Sequence, residues 1–553
     1  MPKLSEVKVA ARNLRRRAAR RRARVARADN HAKRIGARCP RCKKGTILRI
    51  VQAQAGDLLL PALPKMKSVP KFSRSPALVA LAAMAAGACR RPPPTAADAT
   101  AASYRESADR IVTSSLNSDG AWLKVSYLTD EIGARISGST ELDRAIIWAR
   151  DTFAKEGHQN VHLEPAHVPH WVRGEESAAI VTPFPRKLAV LALGGSVGTP
   201  PAGLTAEVAV VSSFEELAQL GTRAKGKIIV YNHAMLATGN AGKGYGEALP
   251  FRVTGADRAA ALGAVAVLVR SLTAHSLGAP HTGWMKYAGT TKIPAAALSV
   301  EDAALIARLA SRREKVTVHL TLGAQTLPDV ASANVVAEIR GREKPDEVVL
   351  IGAHIDSWDV GQGAQDDGSG CAMVMESLAT LRRLGLVPRR TLRAVLFTGE
   401  EEGRRGAKQY AALHRAELPH MVGAFECDAG IGTPVGFVTD GVPAWSGEAR
   451  SFAGLLTPIG AGAIIPAFPG EDIDELKVGG VPRLGLAVDI DHYFDVHHSA
   501  ADTLDKIDRN NLARGVAALA TMAFILADRP ERWVEPMPAA APGTAAALGA
   551  PHP

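Results

Sequence analysis

The sequence predicts an α/β protein, a mostly parallel sheet covered by helices on both faces and interrupted by an inserted, mostly β domain. Three observations lead there. From about residue 334 to 527, short aliphatic runs such as 348–351 alternate with helical patterns such as 369–384, the rhythm of a doubly covered parallel sheet. Between 171 and 325 the pattern changes to short β runs parted by Gly and Pro turns. Ligand-type side chains gather in the loops that follow the predicted strands, and open α/β sheets collect their reactive groups at the carboxyl ends of strands.

At 553 residues with 46% hydrophobic content the chain should form two or three domains with ample core. Its charge of +12 comes from one end: residues 1–65 hold 19 Lys or Arg against Glu6, Asp29 and Asp57, so the body is mildly acidic. That balance gives no reason to expect nucleic acid as a partner.

In chain order, residues 1–65 are a basic extension, read as disordered or as lying upstream of the true start. Cys39-Pro-Arg-Cys42 resembles half a zinc ribbon, but no second pair supplies the remaining two ligands. Residues 66–89 read as a signal peptide. Met66 opens a basic stretch, an apolar run of 13 residues follows at 76–88, and Ala86-Gly87-Ala88-Cys89 resembles a bacterial lipobox with Ala86 in place of the usual Leu or Val. The apolar run is shorter than the ~20 residues that span a bilayer. Export is therefore expected, to the periplasm, to a membrane through lipid on Cys89, or to the medium. Residues 90–104 are a Pro- and Ala-rich linker.

Leu142, Ile146, Ala149 and Phe153 recur at helical spacing, behind a start at Ser139 or Thr140, and 160–163 reads as the first strand. In 171–325, strands are expected at 178–181, 188–193, 206–211, 227–231, 265–269 and 295–298, with helices at 257–262 and 301–309. His233, His275 and His281 stand alone there and are read as exposed or core-satisfied histidines. The α/β pattern resumes with strands at 334–339, 348–353, 391–397, 421–426 and 484–488, and helices at 369–384, 405–416 and 509–527. Residues 528–553 are a Pro- and Ala-rich tail, expected to be disordered. Cys371 and Cys427 lie inside apolar patterns and are read as buried free thiols.

Four clusters carry the chemistry: His354, Asp356 and Asp366; Glu400-Glu401-Glu402 between Gly399 and Gly403; Glu426-Cys427-Asp428; and His497-His498-Ser499-Ala500-Ala501-Asp502-Thr503. Singly, each has an ordinary explanation, such as an acidic first turn of a helix or an N-cap. Together they supply imidazoles and carboxylates enough for two zinc-like ions sharing a carboxylate, a pairing suited to hydrolysis through a bridging hydroxide.

The order His-x-Asp, Asp-Asp-Gly-Ser-Gly, Gly-Glu-Glu, Asp and His-Ser-x-x-Asp-Thr resembles the co-catalytic zinc aminopeptidases and glutamate carboxypeptidases. Residues 358–364 (Trp-Asp-Val-Gly-Gln-Gly-Ala), Glu426-x-Asp428-Ala429-Gly430, and Val168-Pro169-His170-Trp171-x-Arg173-Gly174 are most similar to the plasma glutamate carboxypeptidase branch. The resemblance covers roughly 105–527. It implies the zinc exopeptidase (phosphorylase/hydrolase-like) fold for 105–170 and 326–527, and a protease-associated-like insert at 171–325. It also implies two Zn2+ ions: Asp366 bridging, His354 and Asp428 on one, Glu401 and His498 on the other. By the same resemblance Glu400 is the general base and Glu402 lies outside the site. Asp356 would hold the second nitrogen of His354 and fix its tautomer. His497 stands where several relatives have Tyr and would either donate to the tetrahedral oxyanion or pack. The Asp366-Asp367 peptide would be cis. The expected activity is hydrolysis of dipeptides or short peptides in a carboxypeptidase or dipeptidase manner. A zinc aminopeptidase is the alternative of the same fold, and a non-catalytic receptor-like homologue the alternative of another class. A homodimer is implied by the family only.

Overall fold

The computed structural model describes residues 95–236, 241–275 and 277–533. The expectations for 1–65, for the signal segment and for Cys89 lie outside them. Sixteen strands form two eight-stranded sheets among the described residues. The strands of the first are β1 (Gln159–Val172), β10 (Gln325–Ile339), β11 (Lys344–His354), β12 (Arg390–Phe397), β13 (Met421–Glu426), β14 (Pro434–Thr439), β15 (Ala463–Pro466) and β16 (Arg483–Val488). Between β1 and β10 in the chain come the strands of the second: β2 (Glu176–Thr182), β3 (Arg186–Leu188), β4 (Val190–Ala192), β5 (Leu204–Val211), β6 (Ile228–Tyr231), β7 (Ala266–Arg270), β8 (Ala295–Leu298) and β9 (Thr317–Leu322).

The first sheet runs β1-β10-β12-β11-β13-β16-β14-β15. Its centre, β12-β11-β13-β16, is parallel, and antiparallel pairs join β1 to β10, β10 to β12 and β14 to β16. Alternation along β11 explains why both faces are covered: Val349 and Ile351 enter one core, Val348 and Leu350 the other. The first core is closed by helices Arg105–Leu116, Thr140–Lys155, Ser369–Arg383 and Arg509–Asp528, the second by Arg405–Leu413. Arg509–Asp528 is long and apolar enough to cross a membrane, but it is a core helix, buried from Gly515 to Ala527. Ser139 is the N-cap of Thr140–Lys155, accepting from the Leu142 amide. Cys371 and Cys427 are buried free thiols.

Three expectations need correction. Residues 96–103, within the predicted linker, form a helix fastened by a capping box between Thr95 and Asp98. Its Ala-rich composition, read as a tether, is equally good helix composition. Residues 529–533, assigned to the tail, dock: the Trp533 ring stacks on Trp445 at 4.5 Å and its indole N–H donates to Glu448 at 2.7 Å. The region 171–325 is α/β rather than mostly β. Helices Phe214–Leu220, Ala241–Ala260 and Val300–Ser311 accompany its sheet, whose strands β5-β6-β7-β8 are parallel. Ala241–Ala260 contributes Ala248 and Phe251 to one core of this unit, and Val300–Ser311 contributes Ala303 and Ile306 to the other.

The two chain crossings between the units are a single antiparallel ribbon. β1 and β10 pair from Gln159↔Glu338 to Val172↔Gln325, whereas only Val335–Ile339 of β10 also pairs with β12. Trp171, near the ribbon's far end, is buried in the core of the second unit.

On the outer side of β1 and β12, Glu164 and Glu417 grip His414 at 2.9 and 2.6 Å, and Arg393 donates to Glu417 and Glu338. Burial alone would depress the His414 pKa, but the two carboxylates outweigh it and raise it to about 9. Burial opposes the same pairing at Glu417, whose pKa nevertheless falls to about 2. The His414 contribution is complete below pH 6.5 and is lost as pH rises through 9; that of Glu417 is complete above 4.5 and is lost as pH falls through 2. The stability advantage of wild type over His414→Gln should therefore be greatest near pH 5–6. It should shrink by about 2–3 kcal/mol by pH 10, with the pair's energy counted once. Urea unfolding of both proteins at pH 6 and pH 10 checks this, and a constant difference would contradict it.

Candidate metal centre

The adjacent parallel strands β12, β11, β13 and β16 end on the same edge of the first sheet, and each is followed by one of the four clusters. His354 is the last residue of β11. Asp366 lies between β11 and the buried helix Ser369–Arg383, and its peptide bond to Asp367 is cis. Glu400 and Glu401 follow β12, Asp428 follows β13, and His497 and His498 lie in the loop after β16.

All eight candidate residues come together. Asp366 is central: its Oδ1 is 3.1 Å from His354 Nε2, and its Oδ2 is 3.2 Å from His498 Nε2 and 3.4 Å from His497 Nε2. Asp428 lies 3.6 Å from His354 Nε2, and Glu401 lies 2.9 Å from His498 Nε2. Ligand atoms of Asp366, His497 and His498 converge within 4.8 Å of one another, as do those of His354, Asp367 and Asp428. Either group could hold a metal ion. Two buried acceptors in the cluster, Asp366 Oδ2 and Glu401 Oε1, accept no hydrogen bond. Buried carboxylate oxygens are normally satisfied, so orphans at the convergence point fit a cation. Burial would raise the Asp366 pKa, but the imidazoles of His354 and His498 hold it well below the usual carboxylate range.

Asp356 is placed differently from its expected role. The His354 Nδ1–H donates to the Asp356 backbone carbonyl at 3.1 Å, while the Asp356 carboxylate is 3.8 Å away. The carboxylate instead accepts the backbone amides of Glu400 at 3.1 Å and Glu401 at 3.2 Å, and so sets the acidic turn against β11. Asp367 caps in the same manner, accepting the His354 amide at 3.2 Å and the Gly370 amide at 3.0 Å.

The three consecutive glutamates part company. Glu400 and Glu401 line a cleft of about 430 Å3 with Asp366, Asp428, His497 and His498. Glu402 is buried beneath it with both carboxylate oxygens unpartnered, and burial raises its pKa well above the ordinary value. Glu402→Gln keeps the shape of a buried side chain that does not line the cleft, so kcat/KM should change by less than about fivefold, or ~1 kcal/mol. A peptidase assay of that variant beside Glu400→Gln is the check; an inactive Glu402→Gln with an active Glu400→Gln would move the assignment one residue.

Sequence reasoning missed several supports. Arg135, fully buried, donates to the carbonyls of Ile355, Gln362 and Gly363 and so holds the metal loop. Asp502, present in the fourth cluster but given no role of its own there, accepts the amides of Gln365 and Asp366 at 2.7 and 3.2 Å. The second unit reaches the centre as well. Thr282 grips His498 at two points: its amide donates to the His498 carbonyl at 2.9 Å, and its carbonyl accepts from His498 Nδ1 at 3.3 Å. His498 thereby stays in the left-handed region, at φ +58, with Nε2 facing Glu401 and Asp366. Arg173 of the second unit forks onto Asp359 at 2.5 and 2.7 Å. His275 is not isolated, because it pairs with Asp495 at 3.1 Å, in the loop that carries His498. His497 stacks on His498 with centroids 3.6 Å apart, and burial together with the His498 charge depresses its pKa well below the ordinary value.

A family model described as Peptidase family M28 matches residues 334–523. Carboxypeptidase Q of Mus musculus is 43% identical over 409 residues, 74% of this chain and 86% of that protein. The Homo sapiens protein of the same name is 41% identical over 74% and 85% of the two chains. Among solved structures, a peptidase M28 precursor from Shewanella amazonensis superimposes with a TM-score of 0.76 at 36% identity, covering 79% of this chain and 99% of its own. An aminopeptidase from Aneurinibacillus sp. strain AM-1, 21% identical with a TM-score of 0.57 over 78% and 98% of the chains, shares the fold.

Proposed function

The chain belongs to peptidase family M28 and is by that membership a metallo-exopeptidase, and from this premise we propose that it is a dinuclear zinc exopeptidase that cleaves dipeptides or short peptides in the carboxypeptidase manner of the carboxypeptidase Q proteins it resembles. One observation carries the reading: the two oxygens of the buried Asp366 carboxylate face two separate imidazole groups, His354 on one side and His498 on the other. Asp366 would bridge, with His354 and Asp428 completing one ion and Glu401 and His498 the other. Mixed nitrogen and oxygen donors of this kind suit zinc. When bound, zinc supplies Lewis-acid polarisation of the scissile carbonyl and lowers the pKa of water.

The protein's own groups do the rest. Glu400 takes a proton from the attacking water and returns it to the departing amine. Its turn is held by the Asp356 carboxylate. His497, kept neutral by burial beside His498, can present an N–H to the developing oxyanion. The unit spanning 171–325 is read as a protease-associated-like insert that forms one wall of the cleft through Tyr245, Leu249, Arg252 and Trp284. Export through residues 66–89 belongs to the same reading and rests on the sequence alone.

The test is elemental analysis of the purified protein with a dipeptide hydrolysis assay before and after chelation. About two zinc per chain, with activity lost on chelation and restored by zinc, is the expected result. Absence of bound zinc and of hydrolysis after zinc addition would sink the proposal.

A further inference from the structure

Trp358 belongs by chain to the metal loop, the stretch between His354 and Asp366, yet its side chain is 2% exposed in a core of the second unit, the one that holds Trp171, Leu320 and Leu322. Its seat is Gly194, just beyond β4. A Cβ on Gly194 would come within 2.0 Å of Trp358 Cη2 and 2.4 Å of Cζ3, the outer atoms of the six-membered ring. The backbone at Gly194 lies outside the left-handed region, so the approach of the ring, not a turn, is what requires glycine there. The indole N–H is buried and finds no partner, whereas that of Trp171 in the same core donates to the Ser196 carbonyl at 2.9 Å. Buried indole N–H groups normally find an acceptor, and Phe or Leu would fill apolar space without that cost. Packing alone therefore does not account for tryptophan here. The reach of its ring does: it meets the His498 imidazole with centroids 5.6 Å apart and planes at 58°.

Trp358 and Thr282 act on His498 from one piece of backbone. The Gly194 amide donates to the Gly283 carbonyl at 3.1 Å, and the Gly194 carbonyl accepts the Met285 amide at 3.0 Å. The seat of Trp358 is thereby stitched to the segment whose Thr282 grips His498. Two residues before the seat, the Ala192 carbonyl accepts from Thr282 Oγ1 at 2.7 Å and from Arg173 Nη1 at 2.6 Å. Arg173 in turn forks onto Asp359, the residue after Trp358. His354 is held otherwise. Its loop hangs on Arg135, and its Nδ1 on the Asp356 carbonyl, all within the first unit. The two imidazoles that flank Asp366 are thus fixed by different units of the protein.

We propose that Trp358 is a positioning residue for one of the two ions: seated on Gly194, its ring holds the His498 imidazole toward Glu401 and Asp366 and so sets the zinc affinity of that site. This rests on the dinuclear reading above and deepens it. Trp358 does not line the cleft, so its effect reaches the reaction through His498 alone. Groups that orient a metal-binding imidazole change metal affinity by about 10- to 100-fold when removed.

The test is zinc titration of the metal-free protein against a chromophoric chelator. It compares wild type, Trp358→Phe, Gly194→Ala, the two combined, and His498→Ala with and without Trp358→Phe. Wild type should take up both ions tightly. Trp358→Phe and Gly194→Ala should each keep one tight ion and weaken the other by about 10- to 100-fold. Phe lacks the outer ring atoms that a Cβ at 194 would strike, so the combined variant should bind the weakened ion more tightly than either single one. His498→Ala should hold one ion, and adding Trp358→Phe should leave its affinity unchanged. Unchanged zinc binding in Trp358→Phe, equal weakening of both ions, or additive losses in the combined variant would overturn the assignment. If Gly194→Ala does not fold, Trp358→Phe decides by the same criteria, alone and in the His498→Ala background. A wild type that binds a single zinc per chain would overturn the dinuclear reading and the assignment with it, an outcome seen before any variant is made.

Discussion

Glu400→Gln is expected to lower kcat by about 10²- to 10⁴-fold while leaving the zinc content and the fold in place. The side chain lines the cleft beside Asp366 and Asp428, whereas its backbone amide is fixed to the Asp356 carboxylate. Burial raises its pKa well above the ordinary value, and the nearby Asp428 and Asp472 add to the effect. A raised pKa makes the carboxylate a stronger proton acceptor. The amide has the same shape and the same backbone anchor, but it cannot take up a proton. The measurement is kcat together with zinc per chain: lost turnover with retained metal identifies the base, and full turnover in Glu400→Gln would remove Glu400 from the reaction.

Asp366→Ala should be more damaging still, lowering kcat/KM by at least ~10⁴-fold and abolishing zinc-dependent stabilisation. Two imidazoles from different loops meet on this one carboxylate, and Glu401 shares His498 with it. Removing one partner of a buried charged cluster costs about 3–5 kcal/mol, because the others remain buried. Wild type should gain about 2.7 kcal/mol of stability at a zinc concentration 100 times its Kd, and the variant far less. Melting curves with and without zinc measure this; an equal zinc-induced rise in both proteins would show that Asp366 is not shared between ions.

Much of this architecture was legible because the central strands are wholly apolar. Met421–Glu426 is buried along its entire length, and the sequence reading met it residue for residue. Ser369–Arg383 was legible as a helix because its run lacks Gly and Pro after Gly370. The strands Pro434–Thr439 and Ala463–Pro466 escaped, since each contains Gly or Pro and they lie toward one edge of the sheet. Ala241–Ala260 escaped over most of its length. It carries Gly242, Gly244, Gly246 and Pro250, a poor helix by propensity that Ala248 and Phe251 anchor by packing.

At the centre, His354, Asp366, Glu401, Asp428 and His498 were within reach because motif spacing carries them. Spacing could not say whether Asp356 would offer His354 its carboxylate or its carbonyl, since both lie two residues away. Nor could it reveal Thr282, which acts through backbone atoms that any residue possesses. Arg252 is an ordinary helical arginine until the fold brings it beside His498.

The β1–β10 ribbon also dictates an order of events during synthesis. Among the described residues β1 finds its only sheet partner in β10, on the far side of the entire second unit, so the first sheet as described cannot begin to assemble until residue 325 and beyond have been made. The helices of 105–155 must wait through that interval with their apolar faces uncovered, while the unit between Val172 and Gln325 already has all its own strands at hand. The middle of the chain is thus expected to fold before the early helices, which would be the segment most exposed to aggregation or to a chaperone during translation.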